Sequence, residues 1–154
     1  MKEKEALSQV YLFRELTPSE MDILISISKE KRVKKNEVIF KEGDIGDAFY
    51  LIVSGSVRIS TIVPGVGEEA LTILREGEYF GEMALIDDAP RSASAIANDD
   101  TILLVIGKDD FRRLLAKDTG IAYKLLWVFT RTLSARLRKT DEQLKSIFSI
   151  AKTF

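Results

Sequence analysis

The hydrophobic period of this chain changes twice, and that alternation limits its possible folds more than any other feature. From about Ala6 to Ser28 the apolar residues Leu7, Val10, Tyr11, Leu12, Leu16, Ile23, Leu24 and Ile27 recur at helical spacing. The interruption Thr17-Pro18-Ser19-Glu20 reads as an N-cap with proline at the first helical position, so two short helices are expected. Between about Arg32 and Ile106 the period shortens. β-rich runs fall at Glu37–Phe40, Phe49–Val53, Val57–Val63, Ala70–Leu74, Ala93–Ala97 and Thr101–Ile106, separated by glycines and paired aspartates. Pro64-Gly65-Val66-Gly67 reads as a hairpin tip between two of them. After Lys108-Asp109-Asp110 the helical period returns over Phe111–Ala116. It then runs from Ile121 to Phe154 without Gly or Pro, as one long helix or two in tandem.

This order predicts an α+β fold: an antiparallel β-barrel of the jelly-roll, double-stranded β-helix type, with N-terminal helices and a long C-terminal helix. A chain of 154 residues buries roughly 68–70% of its unfolded surface, enough for a core of its own. One domain over residues 1–154 is expected, with helices to about 30, the barrel over 31–107 and helices from 108 onward. No linker, repeat or low-complexity segment divides it.

The sequence contains neither cysteine nor histidine. Disulfides, thiolate or imidazole metal sites, haem ligation through either residue, and catalysis by a histidine base are therefore outside its chemistry. The formal net charge is -1, which argues against a surface built for the phosphate backbone of nucleic acid. The charged start Met1-Lys2-Glu3-Lys4-Glu5 leads into no apolar segment, and no run reaches the 18 or so apolar residues of a membrane span. A cytoplasmic protein with no membrane contact is expected.

The informative stretch is Phe80-Gly81-Glu82-Met83-Ala84-Leu85-Ile86-Asp87-Asp88-Ala89-Pro90-Arg91-Ser92-Ala93, between two expected strands. Its chemistry suits a ribose that carries a phosphate. Glu82, ionised at neutral pH, accepts hydrogen bonds from a sugar hydroxyl. A short helical turn beginning near Gly81 aims backbone N–H groups outward and lets a ligand approach the main chain. The planar donor fork of Arg91, nine positions after Glu82, matches two phosphate oxygens. Taken alone, Glu82 and Arg91 are equally compatible with an exposed ion pair that contributes about 0–1 kcal/mol.

The spacing resembles the phosphate-binding cassette of the cyclic-nucleotide-binding domain family: Phe-Gly-Glu, any residue, Ala-Leu, a variable loop, then Pro-Arg, a small residue and Ala. Every fixed element of that pattern is present over residues 80–93. The resemblance extends to Gly43-Asp44-Ile45-Gly46-Asp47, to Tyr50-Leu51-Ile52-Val53-Ser54-Gly55-Ser56-Val57 and to Gly77-Glu78-Tyr79-Phe80. It covers about Leu7 to about Leu144.

The resemblance implies that Glu82, with Gly81, holds the ribose 2′-hydroxyl and that Arg91 neutralises the cyclic phosphate. Ala84 and Ser92 would add backbone N–H bonds, and Ser92 its hydroxyl. Gly43, Gly46, Gly55 and Gly77 read as turn and bulge positions rather than ligand contacts. Ile59, Leu71 and Leu74 would line a purine pocket or simply belong to the core; pockets are largely apolar, so the readings overlap. In the family the last helix closes over the base, and Thr140 and Asp141 match that place. An ionised Asp accepts only, so it would favour the amino group of adenine over the carbonyl of guanine, whereas Ser92 pulls weakly toward guanine.

The implied function is a regulatory sensor that binds cyclic AMP, with cyclic GMP as the alternative ligand and no further cofactor, and that signals through its flanking helices. It is not expected to be an enzyme: no metal-ligand set or histidine base accompanies the cassette. Two other readings stand beside it, an interaction domain with an idle cassette and the sensor fragment of a longer transcription regulator. A winged helix-turn-helix needs on the order of 60–80 further residues, so no direct DNA contact is expected. The basic residues Arg131, Arg136, Arg138, Lys139 and Lys145 read as a solvated face. Output would pass to an unidentified protein partner. Leu126, Phe129, Leu133, Leu137, Thr140, Leu144, Ile147, Ala151 and Phe154 form nearly a heptad seam, which predicts a homodimer once the first two turns have packed on the barrel.

Overall fold

The computed structural model describes residues 2–153. Helix α1 (Lys2–Ser8), a 3-10 turn (Tyr11–Phe13) and α2 (Pro18–Ser26) open the chain. The expected cap is present. The Glu20 N–H donates to Thr17 Oγ1 at 3.2 Å, and the Thr17 N–H donates to Glu20 Oε1 at 2.9 Å, so two donors that the helix start would leave unpaired are satisfied reciprocally.

Eight strands follow: β1 (Ser28–Val33), β2 (Val38–Phe40), β3 (Ala48–Ser54), β4 (Ser56–Val63), β5 (Gly67–Arg75), β6 (Tyr79–Phe80), β7 (Ser94–Ala97) and β8 (Thr101–Gly107). They form two antiparallel four-stranded sheets, ordered β1-β8-β3-β6 and β2-β7-β4-β5. This corrects the expected barrel, since no closed barrel forms among the described residues. Strand β6 has two residues, and β5 pairs with β4 on one side while eight of its nine residues stay exposed, so the sheet edges are not joined. The hairpin tip is where the sequence puts it, with Val63 opposite Gly67 and the Val66 N–H donating to the Val63 carbonyl at 3.0 Å.

Strand β3 explains the packing. Phe49, Leu51 and Val53 face a core shared with the helices, whereas Ala48, Tyr50 and Ile52 face the core between the sheets. A strand buried on both faces needs apolar residues at every position, and Ala-Phe-Tyr-Leu-Ile-Val supplies them. The chain ends in α3 (Lys108–Lys117) and α4 (Thr119–Thr153), a single helix of 35 residues rather than two in tandem, about 52 Å long. Ile121, Leu125, Val128 and Phe129 of α4 are buried against the body of the domain, and from Ser134 to Lys152 every residue is exposed. No helix among the described residues is long and apolar enough to cross a membrane.

Candidate functional site

Arg91 sits at the centre of the site, and its main chain is fixed before its side chain is considered. The Arg91 N–H donates to the Asp44 carbonyl at 2.7 Å, and its own carbonyl accepts from the Gly43 N–H at 2.8 Å. The turn at 43–47 therefore presses on the segment ahead of β7. At Gly46 the approach is so close that a Cβ would lie 2.6 Å from the Ala84 Cβ, so no larger residue fits.

The Arg91 side chain is buried. Nη2 donates to the Ala48 carbonyl at 2.7 Å and Nη1 to the Gly81 carbonyl at 3.3 Å. Its guanidinium carbon lies 4.1 Å from the centre of the Phe40 ring, which with Tyr50 and Phe80 forms an aromatic floor. Gly81 lines the opposite side at φ +78°, and a Cβ there would come within 2.8 Å of Nη1. Only glycine meets both demands. Among the described residues Nε has no hydrogen-bond partner, and the one carboxylate in ion-pair range, on exposed Asp47, is 3.9 Å away. Burial pushes the guanidinium below its usual pKa, against the pull of Tyr50, Asp47, Glu82 and Asp44. The site is a nearly dry cation with a donor unmatched.

Glu82 opens a 3-10 turn (Glu82–Leu85) and is itself 9% exposed. It does not pair with Arg91. Its Oε1 accepts from Arg136 Nη1 of α4 at 2.6 Å, and the other carboxylate oxygen has no partner among the described residues. Burial raises the pKa of the neighbouring Tyr79, and the Glu82 charge adds to the effect. A buried cation, a buried carboxylate and glycine-exposed backbone can together receive an anionic, hydroxylated ligand.

The profile of the cyclic nucleotide-binding domain matches residues 30–118. The chain belongs to that family. Similar proteins include the cyclic AMP receptor protein of Thermus thermophilus, 38% identical over 86% of this chain and 60% of that protein. A cAMP-dependent protein kinase regulatory subunit of Hypocrea atroviridis is 34% identical over 82% of the chain and 26% of its own length. The chain thus spans less than two thirds of the length of these curated relatives. Among solved structures, the N-terminal domain of a transcriptional regulator from Streptomyces coelicolor superposes with a TM-score of 0.80 at 29% identity, covering 90% of this chain and 94% of that one.

Within this cyclic nucleotide-binding domain the residues singled out by sequence separate into two groups. Gly81, Glu82, Ala84 and Arg91 come together, and Ser92 is exposed directly after the arginine. The Ala84 N–H is not free, because it donates to the Gly81 carbonyl at 3.2 Å in closing the turn. Ile59 and Leu74 are partly buried against the core between the sheets. Leu71 does not belong to the core, the second of the two alternatives for it, being 61% exposed on the edge strand β5. Thr140 and Asp141 are exposed on α4 and make no hydrogen bond to the cassette; Thr140 Oγ1 donates instead to the Arg136 carbonyl at 3.0 Å.

Arg136 corrects the sequence reading, which placed it on a solvated face. It is half exposed yet ion-paired with Glu82, 54 positions away. Nothing in its local sequence separates it from Arg131 or Arg138. The aromatic floor was equally hidden, since Phe40 and Tyr50 read as ordinary strand residues.

Proposed function

We infer that this domain is a cyclic-nucleotide sensor that takes cyclic AMP in preference to cyclic GMP and reports occupancy through α4. The observation that carries the reading is Arg91: a buried guanidinium whose Nε donor is unmatched among the described residues, none of whose carboxylates neutralises it at hydrogen-bonding distance. Burying a charge without a partner is costly, and a phosphodiester bound at this place would remove that cost. Glu82 supports the same ligand, because Arg136 occupies one carboxylate oxygen and leaves the other to accept from a ribose hydroxyl. The names of the Thermus and Hypocrea relatives support cyclic AMP. Thr140 and Asp141 are the candidate base contacts, one turn beyond Arg136, and act if α4 closes on the cassette.

The nucleotide is read as a signal and not as a substrate. The exposed seam Leu126, Leu137, Thr140, Leu144, Ile147 and Ala151 on α4 supports a homodimer, with output to a protein partner. Calorimetric titration with cyclic AMP, cyclic GMP and 5′-AMP tests the reading. Saturable binding of a cyclic nucleotide, recovered unopened afterwards, is expected. Absence of binding at millimolar ligand rejects the sensor in favour of an interaction domain with an idle cassette.

A further inference from the structure

The segment that joins the cassette turn to Arg91 is held at its middle by a different element. Lys108, the first residue of α3, places Nζ 2.5 Å from Asp88 Oδ1 and 2.8 Å from the Asp87 carbonyl. Arg112, one turn further along α3, donates to Asp88 Oδ1 at 3.4 Å and to the Ile86 carbonyl at 3.3 Å. Two cations on one helical face thus grip three consecutive residues. The Lys108 main chain reaches the other wall of the site as well, since its N–H donates to the Asp47 carbonyl at 2.8 Å, next to the Ala48 carbonyl that receives Arg91. The start of α3 therefore touches both segments that seat the arginine.

These ion pairs are poorly placed to stabilise the fold. The Asp88 side chain is 78% exposed, and pairs of that kind contribute little. Their physical effect is on order. Residues 86–90 are exposed and are tied at their two ends, by the Ile86 and Asp87 N–H bonds to the Met83 carbonyl and by the bridge of Pro90 with Ile45; fixing the middle in advance spares the ligand the entropy of doing so. Helix α3 in turn packs on α4 through the edge-to-face contact of Phe111 with Phe129, at 6.4 Å between ring centres. Two residues before Phe129 lies Trp127, the only tryptophan of the sequence, 54% exposed.

We propose that Asp88 is a positioning residue: held by Lys108 and Arg112, it fixes the 86–90 segment ahead of Arg91 and makes α3, and through it α4, register occupation of the cassette. The binding half of this statement rests on the cyclic-nucleotide reading above. The ordering half does not, and the two are measured separately.

Hydrogen exchange of residues 86–91 without nucleotide tests the clamp alone. Asp88→Asn is expected to speed exchange there, with a melting temperature within about 2 °C of the unmutated protein. Unchanged exchange overturns the proposal whether or not nucleotide binds. With cyclic AMP, Asp88→Asn is expected to weaken affinity about three- to tenfold and to reduce the change in Trp127 emission at saturation, with partial recovery in Asp88→Glu. Arg112→Gln, on the other side of the same ion pair, is expected to act in the same direction. If the unmutated protein binds and Asp88→Asn keeps full affinity and full emission change, the coupling is overturned. If the unmutated protein binds neither cyclic nucleotide, the sensor reading falls and the exchange result still decides the clamp.

Discussion

Arg136 Nη1 lies 2.6 Å from Glu82 Oε1, and this ion pair joins the long helix α4 to the turn that carries the candidate ribose acceptor. Glu82 is buried and Arg136 is half exposed, so the pair has one dry end and one wet end. Its contribution to stability is therefore modest, about 0–1 kcal/mol. Its effect on geometry is larger, because a carboxylate held by a charge-assisted bond presents its second oxygen in one direction.

Arg136→Gln is accordingly expected to leave the melting temperature within a few degrees and to weaken cyclic AMP binding about threefold to tenfold, from a less ordered Glu82 and a lost positive charge. Calorimetry on the folded variant checks this. Tighter binding would show that Arg136 competes with the ribose rather than orienting its acceptor.

Arg91→Ala is expected to lose cyclic-nucleotide affinity by about 2–5 kcal/mol, roughly thirty-fold to several thousand-fold, as one side of a buried charge contact disappears. Arg91→Lys is expected to recover little, because an ammonium cannot reach the Ala48 and Gly81 carbonyls and still present a planar donor pair to the phosphate. The fold is expected to survive the change, since the burial of this cation is only partly compensated. Circular dichroism should match the unmutated protein. A folded Arg91→Ala with normal affinity would remove Arg91 from the site.

How much of this was legible beforehand depended on whether a residue's partners lie close in sequence. The cassette spans fourteen residues, so Gly81, Glu82 and Arg91 stand out by spacing. The double-faced strand β3 announces itself by an unbroken apolar run. Strand β1 does not, because it is an edge strand with Val33 as its one apolar residue, and its charged side chains suit solvent rather than a periodic pattern. Leu71 departs from the core alternative for the converse reason: it is an apolar residue in a strand, yet on β5 only Leu74 reaches the core between the sheets and the rest of the strand is exposed. Arg136 and the grip of Lys108 on Asp88 are tertiary pairs across 54 and 20 positions, for which a single sequence carries no signal.

Acid sensitivity is expected to centre in part on Glu20. Its carboxylate accepts from Lys124 Nζ on α4 and from the Thr17 N–H, and these bonds, Lys124 first, hold its pKa below the ordinary value. A carboxyl lowered on folding contributes stability that is fully present above its unfolded pKa, about 4.3, and is lost as the pH falls through the lower folded value. Glu20→Gln is therefore expected to lower the melting temperature at pH 7 by about 2–4 °C, for a loss of about 1 kcal/mol of capping and pairing. The difference between the two proteins should narrow as the pH falls below about 4.3. A constant difference across that range would assign the loss to the cap geometry alone.

The distal half of α4 supplies the last expectation. Leu137, Leu144 and Ile147 are 63%, 47% and 61% exposed, with Thr140 and Ala151 completing steps of three and four residues along one stripe. The buried part of the helix ends near Phe129, and Leu126 at the start of the stripe is already 45% exposed, so less of the stripe packs on the domain than the two turns the sequence leads one to expect. A regular apolar stripe on a projecting helix is unfavourable in water, and a second copy of the chain is expected to cover it. Light scattering at tens of micromolar protein is expected to give twice the chain mass. Leu137→Asp with Leu144→Asp places like charges in the seam and should give a monomer whose core between the sheets and helices keeps its near-ultraviolet circular dichroism. Because Arg136 lies beside Leu137 on the same turn, the monomer should also bind cyclic AMP more weakly than the dimer. A protein that is monomeric at that concentration, with and without cyclic AMP, would leave the stripe to a different partner and sink the homodimer.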